Sequence, residues 1–130
     1  MVAPNVDFLA KKYFNCSQCL DFMVRRWKTM PDNPAKGKEF DILALYEDII
    51  ILVEAKHNPK PEYAVEFIEF INKKKFYKYF PEYENKKLIP IFASFYIPHN
   101  VIIKLSKNKI YAMATKEDTM DIINFDDINQ

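Results

Sequence analysis

The chain has 130 residues, 49% of them hydrophobic and one a glycine, which suits a single domain over residues 1–130 and leaves no room for a second. No apolar run approaches the ~18 residues of a membrane-spanning helix, and the opening Met-Val-Ala-Pro-Asn lacks a signal peptide's charged and apolar regions, so the expected location is cytoplasmic with no membrane partner. The net charge of +1 argues against a uniformly basic nucleic-acid binder, yet residues 73–116 carry ten lysines against Glu82 and Glu84, while 117–130 carry five acids and no base. That basic middle suits phosphate-backbone binding, and equally the solubility of a Lys-rich surface.

In chain order, residues 5–15 read as a short helix with Phe8, Leu9, Ala10 and Phe14 turned inward. Cys16 and Cys19 read as structural thiols rather than half of a zinc site, because no second pair is near and His57 and His99 are distant in sequence. Residues 19–30 read as a strand whose alternation of Leu20, Phe22, Val24 and Trp27 breaks at Arg25 and Arg26. Those two arginines are either phosphate clamps or exposed residues of an edge strand. Residues 31–37, rich in Pro, Asp, Asn and Gly, are expected to form a loop.

Two runs dense in Ile, Leu and Val, 39–46 and 49–56, flank Glu47 and Asp48 and predict a tight antiparallel hairpin. With a two-residue turn, Tyr46 faces Ile49, Asp41 faces Glu54 and Glu39 faces Lys56, so all four ionisable groups share one face with Leu43 and Leu52. Phe40, Ile42, Ala44, Ile51, Val53 and Ala55 take the other. Two carboxylates roughly 5 Å apart (Cβ to Cβ) destabilise a sheet unless a cation lies between them, and hard Mg²⁺ or Mn²⁺, held by one or two carboxylates, is the natural choice. Lys56 adds a cation able to orient an attacking water or neutralise developing negative charge. Glu39 is expected to support Lys56 as its ion-pair partner.

Beyond the hairpin, residues 62–80 read as the longest helix, on which Asn72, Lys73 or Lys74 can approach nucleic acid or simply line a solvated face. Residues 88–97 read as a strand buried on both faces and paired in parallel after the helical crossover. A short helix from Pro98 through Leu105, a hairpin of 109–115 with 120–125, and a frayed tail complete the chain.

Asp41 followed by Glu54-Ala55-Lys56 resembles the D…(D/E)xK signature of the PD-(D/E)xK nuclease superfamily, with Phe40 where the family's name places proline. The order of predicted elements resembles the family's αβββαβ core over residues 7–125, and Phe80-Pro-Glu-Tyr83 and Asp118-Thr-Met120 resemble its small uncharacterised bacterial branch. The resemblance implies an α/β fold with a restriction-endonuclease-like core, a mixed central sheet flanked by helices, and a small C-terminal hairpin. It implies a metal-dependent nuclease acting on DNA, with Asp41 and Glu54 as metal ligands, the Ala55 carbonyl as an extra ligand and Lys56 as catalytic lysine. The cofactor is then Mg²⁺ or Mn²⁺ with no small-molecule cofactor, and a homodimer can complete the substrate groove. Asp7 is the one candidate for an additional acidic ligand on the first helix. The alternative is a non-catalytic nucleic-acid- or protein-binding domain on the same fold.

Overall fold

A computed structural model describes residues 2–129 as a six-stranded sheet with helices on both faces. The elements run α1 (Ala3–Phe14), β1 (Asp21–Met30), β2 (Asn33–Leu45), β3 (Ile49–Ala55), α2 (Pro61–Asn72), α3 (Phe76–Tyr79), a 3-10 turn (Pro81–Tyr83), β4 (Lys87–Ala93), α4 (His99–Lys107), β5 (Tyr111–Lys116), β6 (Thr119–Ile122) and α5 (Phe125–Ile128). Strands lie side by side in chain order. β3, β4 and β5 are mutually parallel and the other neighbours antiparallel, giving a mixed sheet.

The two parallel connections, through α2 and through α4, advance the same way across the sheet, and crossovers of one hand then lay both helices on the same face. Ala64, Phe67 and Ile68 of α2, Phe76 and Tyr79 of α3, and Val101 and Leu105 of α4 pack there on Leu43, Leu52 and Phe92. Val6, Leu9 and Ala10 of α1 cover the opposite face over Ile42, Ala44, Ile51, Val53 and Met113, with Phe125 and Ile128 of α5 beside them. Phe8 turns outward, contrary to the sequence expectation.

Pro61 in the first turn of α2, followed by Glu62, supplies a preset φ and an acid at the positive end of the helix. The helix expected to reach residue 80 stops at Asn72, because Lys74 turns left-handed at φ 55°. α3 then swings its rings onto the sheet, where Phe76, Tyr79 and Phe80 meet the Phe40 ring edge-on at 5.1–6.0 Å between centroids. Pro90 sits inside the central strand β4 because β5 begins pairing only at Ile91, so the missing N–H opens no gap in a ladder.

The loop expected over 31–37 shrinks to Pro31 and Asp32, and β2 already begins at Asn33. The pairing jumps from Thr29↔Gly37 to Met30↔Asn33, so Pro34 lies in a bulge near the edge of the sheet rather than in a regular ladder. Gly37 has no Cβ to collide with the Trp27 ring, which lies across it. At the chain's end, the residues expected to fray form α5, and Asn129 donates from its carboxamide to the Tyr111 hydroxyl.

A buried carboxamide ties this C-terminal part together. Asn124 accepts from the Ala112 N–H and donates to the Ile110 carbonyl and the Ser106 hydroxyl, joining β5, α4 and the start of α5. No helix among the described residues is long and apolar enough to cross a membrane.

Candidate active site

The register of the central hairpin is the one its sequence predicts, with Leu45 opposite Ile50 and Leu43 opposite Leu52. The ladder ends at Ile42↔Val53, short of the charged residues. From there β2 stays with β1, where Phe40 pairs with Arg26 and Glu39 with Trp27, and it parts from β3 as the tine of a fork. The Asp41 carboxylate fills the opening and accepts the Ala55 N–H at 2.9 Å, replacing a backbone bond that the divergence removes.

A local backbone kink drives the divergence. Arg25 holds φ at 53°, a left-handed conformation that costs a non-glycine residue energy. Arg25 and Asp41 are the two positions skipped between the Val24↔Ile42 and Arg26↔Phe40 pairs. Alternation therefore breaks at Asp41: Phe40 joins the α2 face with Leu43, whereas Ile42 keeps the α1 face. Phe40 does not share a face with Ile42, as simple alternation required.

The kink rearranges the charges as well. Glu39 is exposed and does not take up the expected role of ion-pair partner to Lys56, while Lys38, which no expectation placed here, sets its Nζ 3.8 Å from Glu54 Oε2. The Lys38 ammonium lies over the rings of Phe40 and Phe70, at 5.6 and 5.1 Å from their centroids. Lys56 instead reaches the face of Tyr63, at 4.7 Å.

Asp41 and Glu54 are not a ladder pair, yet their carboxyl groups meet through a hydrogen bond. The Glu54 side chain is only 14% exposed. Burial first, then the hydrogen bond with Asp41, pushes its pKa up to about 7, although Lys38 and Lys56 pull the other way. At neutral pH Glu54 is thus protonated in about half of the molecules.

The pair stands between two clefts. Asp41, Ala55 and Lys56 line one of about 420 Å³ on the α1 side, together with Arg25, His57, Ser94 and Phe95. Glu54 lines a smaller one of about 230 Å³ on the α2 side, with Lys38, Glu66, Glu69 and Lys75. A larger cleft of about 520 Å³ is walled by Tyr13, Phe14, Lys87, Tyr111 and Phe125 and, among the described residues, is lined by no Asp or Glu and by none of these residues.

Of the residues expected to meet nucleic acid, Arg25 joins the site and Arg26 does not, lying exposed on the edge strand. Lys73 and Lys74 sit exposed in the turn after α2 and line neither cleft; Lys75 is the lysine of that run that does. Asn72 is engaged elsewhere, donating to Asn108 at 3.0 Å. Asp7 lies at the opposite end of the hairpin, bound to Tyr46 and Lys11, and supplies no ligand here. Lys38, Tyr63, Ser94 and Phe95 had no motif to mark them.

The donor set is one of hard oxygens. Among the described residues no three His, Cys, Asp or Glu side chains cluster to hold a metal ion, so a cation at the fork would rest on Asp41, Glu54, the Ala55 carbonyl and water. That composition fits Mg²⁺ or Mn²⁺, which keep several waters, and fits zinc poorly. The Ala55 N–H faces β2 beyond the end of the β2–β3 ladder, and its carbonyl, on the same side of an extended strand, faces the opening too.

A family model described as a domain of unknown function, DUF8196, matches residues 33–122. The chain belongs to this family. The DUF8196 span begins with the first residue of β2 and ends with the last of β6, so it holds Lys38, Asp41, Glu54, Ala55, Lys56, Ser94 and Phe95. Arg25, with α1 and β1, precedes it. No curated protein matches the chain.

Proposed function

We propose that this DUF8196 chain is a divalent-metal-dependent nuclease hydrolysing phosphodiester bonds in DNA, on a restriction-endonuclease-like αβββαβ core of the PD-(D/E)xK kind. The observation that carries the reading is the fork: Asp41 and Glu54 meet where β2 leaves β3, close enough for Asp41 to raise the Glu54 pKa, and Lys56 follows on the same strand end. Two carboxyls forced together at the end of a buried ladder are an electrostatic cost that a divalent cation relieves by displacing the proton.

Asp41 and Glu54 would hold Mg²⁺ or Mn²⁺, with the Ala55 carbonyl completing the protein's share. When bound, the metal polarises the scissile phosphate and lowers the pKa of a coordinated water. Lys56 follows Glu54 and Ala55 at the fork; its ammonium, which rests over Tyr63 in the free chain, would leave that ring to orient the attacking water and donate to a phosphate oxygen as charge builds up. Asp41 has a second task, since its bond to the Ala55 N–H fixes the start of the Glu54-Ala55-Lys56 segment. Arg25, lining the same cleft, is placed to meet a phosphate.

The Lys38–Glu54 ion pair favours a second reading, in which the charges neutralise one another and the domain binds nucleic acid or protein without catalysis. Cleavage of supercoiled plasmid and of single-stranded DNA in Mn²⁺ separates the two. We expect cutting that needs the metal and falls by at least about 100-fold in both Asp41→Ala and Lys56→Ala. No cutting, with no rise in melting temperature on adding Mn²⁺, would select the binding domain, because a ion that binds only the folded chain must stabilise it.

A further inference from the structure

Ser94 and Phe95, where β4 ends, supply a second observation about the cleft beside Asp41 and Lys56. Among the described residues, the Ser94 hydroxyl oxygen is the buried side-chain polar atom without a hydrogen-bond partner, in a residue only 2% exposed that lines this cleft. Leaving such a group unmatched is costly, and it gains most from a ligand that offers it a partner.

The next residue does the opposite of what its side chain favours. Phe95 is 56% exposed and Tyr96 is 70% exposed, in a chain whose other rings largely crowd into the two cores. Flexibility does not explain this, because the backbone here is held on the β5 side: Ser94 donates its N–H to the Met113 carbonyl and the Phe95 carbonyl accepts from Thr115, each at 3.0 Å. Phe95 thus stands on an anchored backbone in the wall of a cleft that Arg25 also lines, while the Lys56 ammonium lies over Tyr63.

We propose that this cleft binds a single nucleic-acid strand, with a base stacked on Phe95 and the sugar-phosphate backbone passing between Ser94 and Arg25. This deepens the nuclease reading and rests on it for the position of the scissile phosphate. A base within a duplex has both faces already stacked, so only an unpaired base offers a free face to a fixed ring. The volume, about 420 Å³, is enough for one nucleotide. The charge agrees too: Arg25, in the same wall, answers a phosphate.

The test is binding of a fluorescently labelled 15-mer of deoxythymidine, and of a labelled duplex of equal length, to the full chain by anisotropy with EDTA present to prevent cutting. We expect the single strand to bind more tightly than the duplex. Phe95→Ala should weaken single-strand binding by about 10-fold or more while leaving duplex binding within about twofold, and Phe95→Trp should retain it. Ser94→Ala should give a smaller loss, by a few-fold, at a melting temperature equal to or above the parent's, since it removes the unmatched hydroxyl.

Tighter binding of the duplex, or single-strand binding in Phe95→Ala within about twofold of the parent, overturns the proposal. Plasmid cleavage in Mn²⁺ with the same samples tells the two readings apart. Cutting that persists alongside either of those results removes the single-strand cleft and keeps the nuclease. Phe95-dependent single-strand binding without any cutting supports the cleft and removes the catalysis.

Discussion

The two ends of the β2–β3 hairpin each hold a partly buried acid and handle it in opposite ways. At the turn end, Asp7 of α1 receives Lys11 at 2.8 Å and the Tyr46 hydroxyl at 2.7 Å, and those two bonds hold its carboxyl below the ordinary range. Burial and the neighbouring Asp7 carboxylate in turn push the Tyr46 phenol upward. At the open end Glu54 has a cation 3.8 Å away and a second carboxyl in hydrogen-bonding contact, and its pKa rises instead. Asp121 matches the turn end: burial opposes its ionisation, but hydrogen bonds from Tyr13 and the Ile122 N–H, with Lys12 nearby, hold it low. An acid kept for structure is given donors; the pair at the fork is left short of them.

The contrast is broken most strongly by activity. If the open end is catalytic, Lys56→Ala should lose at least about 100-fold in metal-dependent cleavage, whereas Asp7→Asn should cleave within about twofold of the parent once both are shown to be folded.

Stability against pH gives the next largest effect. Glu54 has its pKa raised on folding, so the folded chain keeps a proton that the unfolded chain releases; the associated stability is complete below the unfolded value and is lost as pH rises through about 7. Glu54→Gln should therefore raise the stability near pH 8, by up to roughly 3 kcal/mol, and change it little near pH 4. Thermal melts at both pH values check this. Equal destabilisation at both would mean that the carboxyl is as well supported as Asp7. Mn²⁺ should likewise raise the melting temperature more at about pH 8 than at about pH 6, since it competes with that proton.

Tyr46→Phe sharpens the comparison from the other side. It removes one buried hydroxyl from Asp7 and should cost about 1 kcal/mol in a urea titration. With the pKa of Asp7 lowered by folding, its contribution is present above the unfolded value and fades as pH falls through the folded one. Lys11→Ala, on an exposed pair, should cost least, leaving the urea midpoint within error of the parent's.

How far these differences could be read from the sequence varied with the physics behind each. The hairpin register was legible because two apolar runs around a two-residue turn leave one pairing that buries both faces, and a slip by one residue would expose a whole set. The kink was not, because the residue at φ 53° is Arg25, with neither glycine nor proline to mark it. Its consequences, Phe40 on the α2 face, Glu39 turned away from Lys56 and Lys38 beside Glu54, were hidden with it. Pro34 and Gly37 misled in the other direction: they signal a loop, but an edge pair with a bulge accommodates both. The break after α2 falls among three lysines of good helix propensity, where the packing of Phe76, Tyr79 and Phe80 on Phe40 overrides local preference. The Asn124 clasp depends on three partners distant from any motif.

The strands lie across the sheet in the order in which a ribosome makes them, and that has a consequence for how the protein is built. Each new strand docks beside the one before it, so none must wait for a later segment to be inserted between its neighbours. By the time residue 95 has been synthesised, the chain carries Arg25, Lys38, Asp41, Glu54, Lys56, Ser94 and Phe95, and the remaining strands only extend the far edge and clamp Phe95 from outside. Vectorial assembly would thus place the fork early and the clamp last, with Thr115 as the closing stitch.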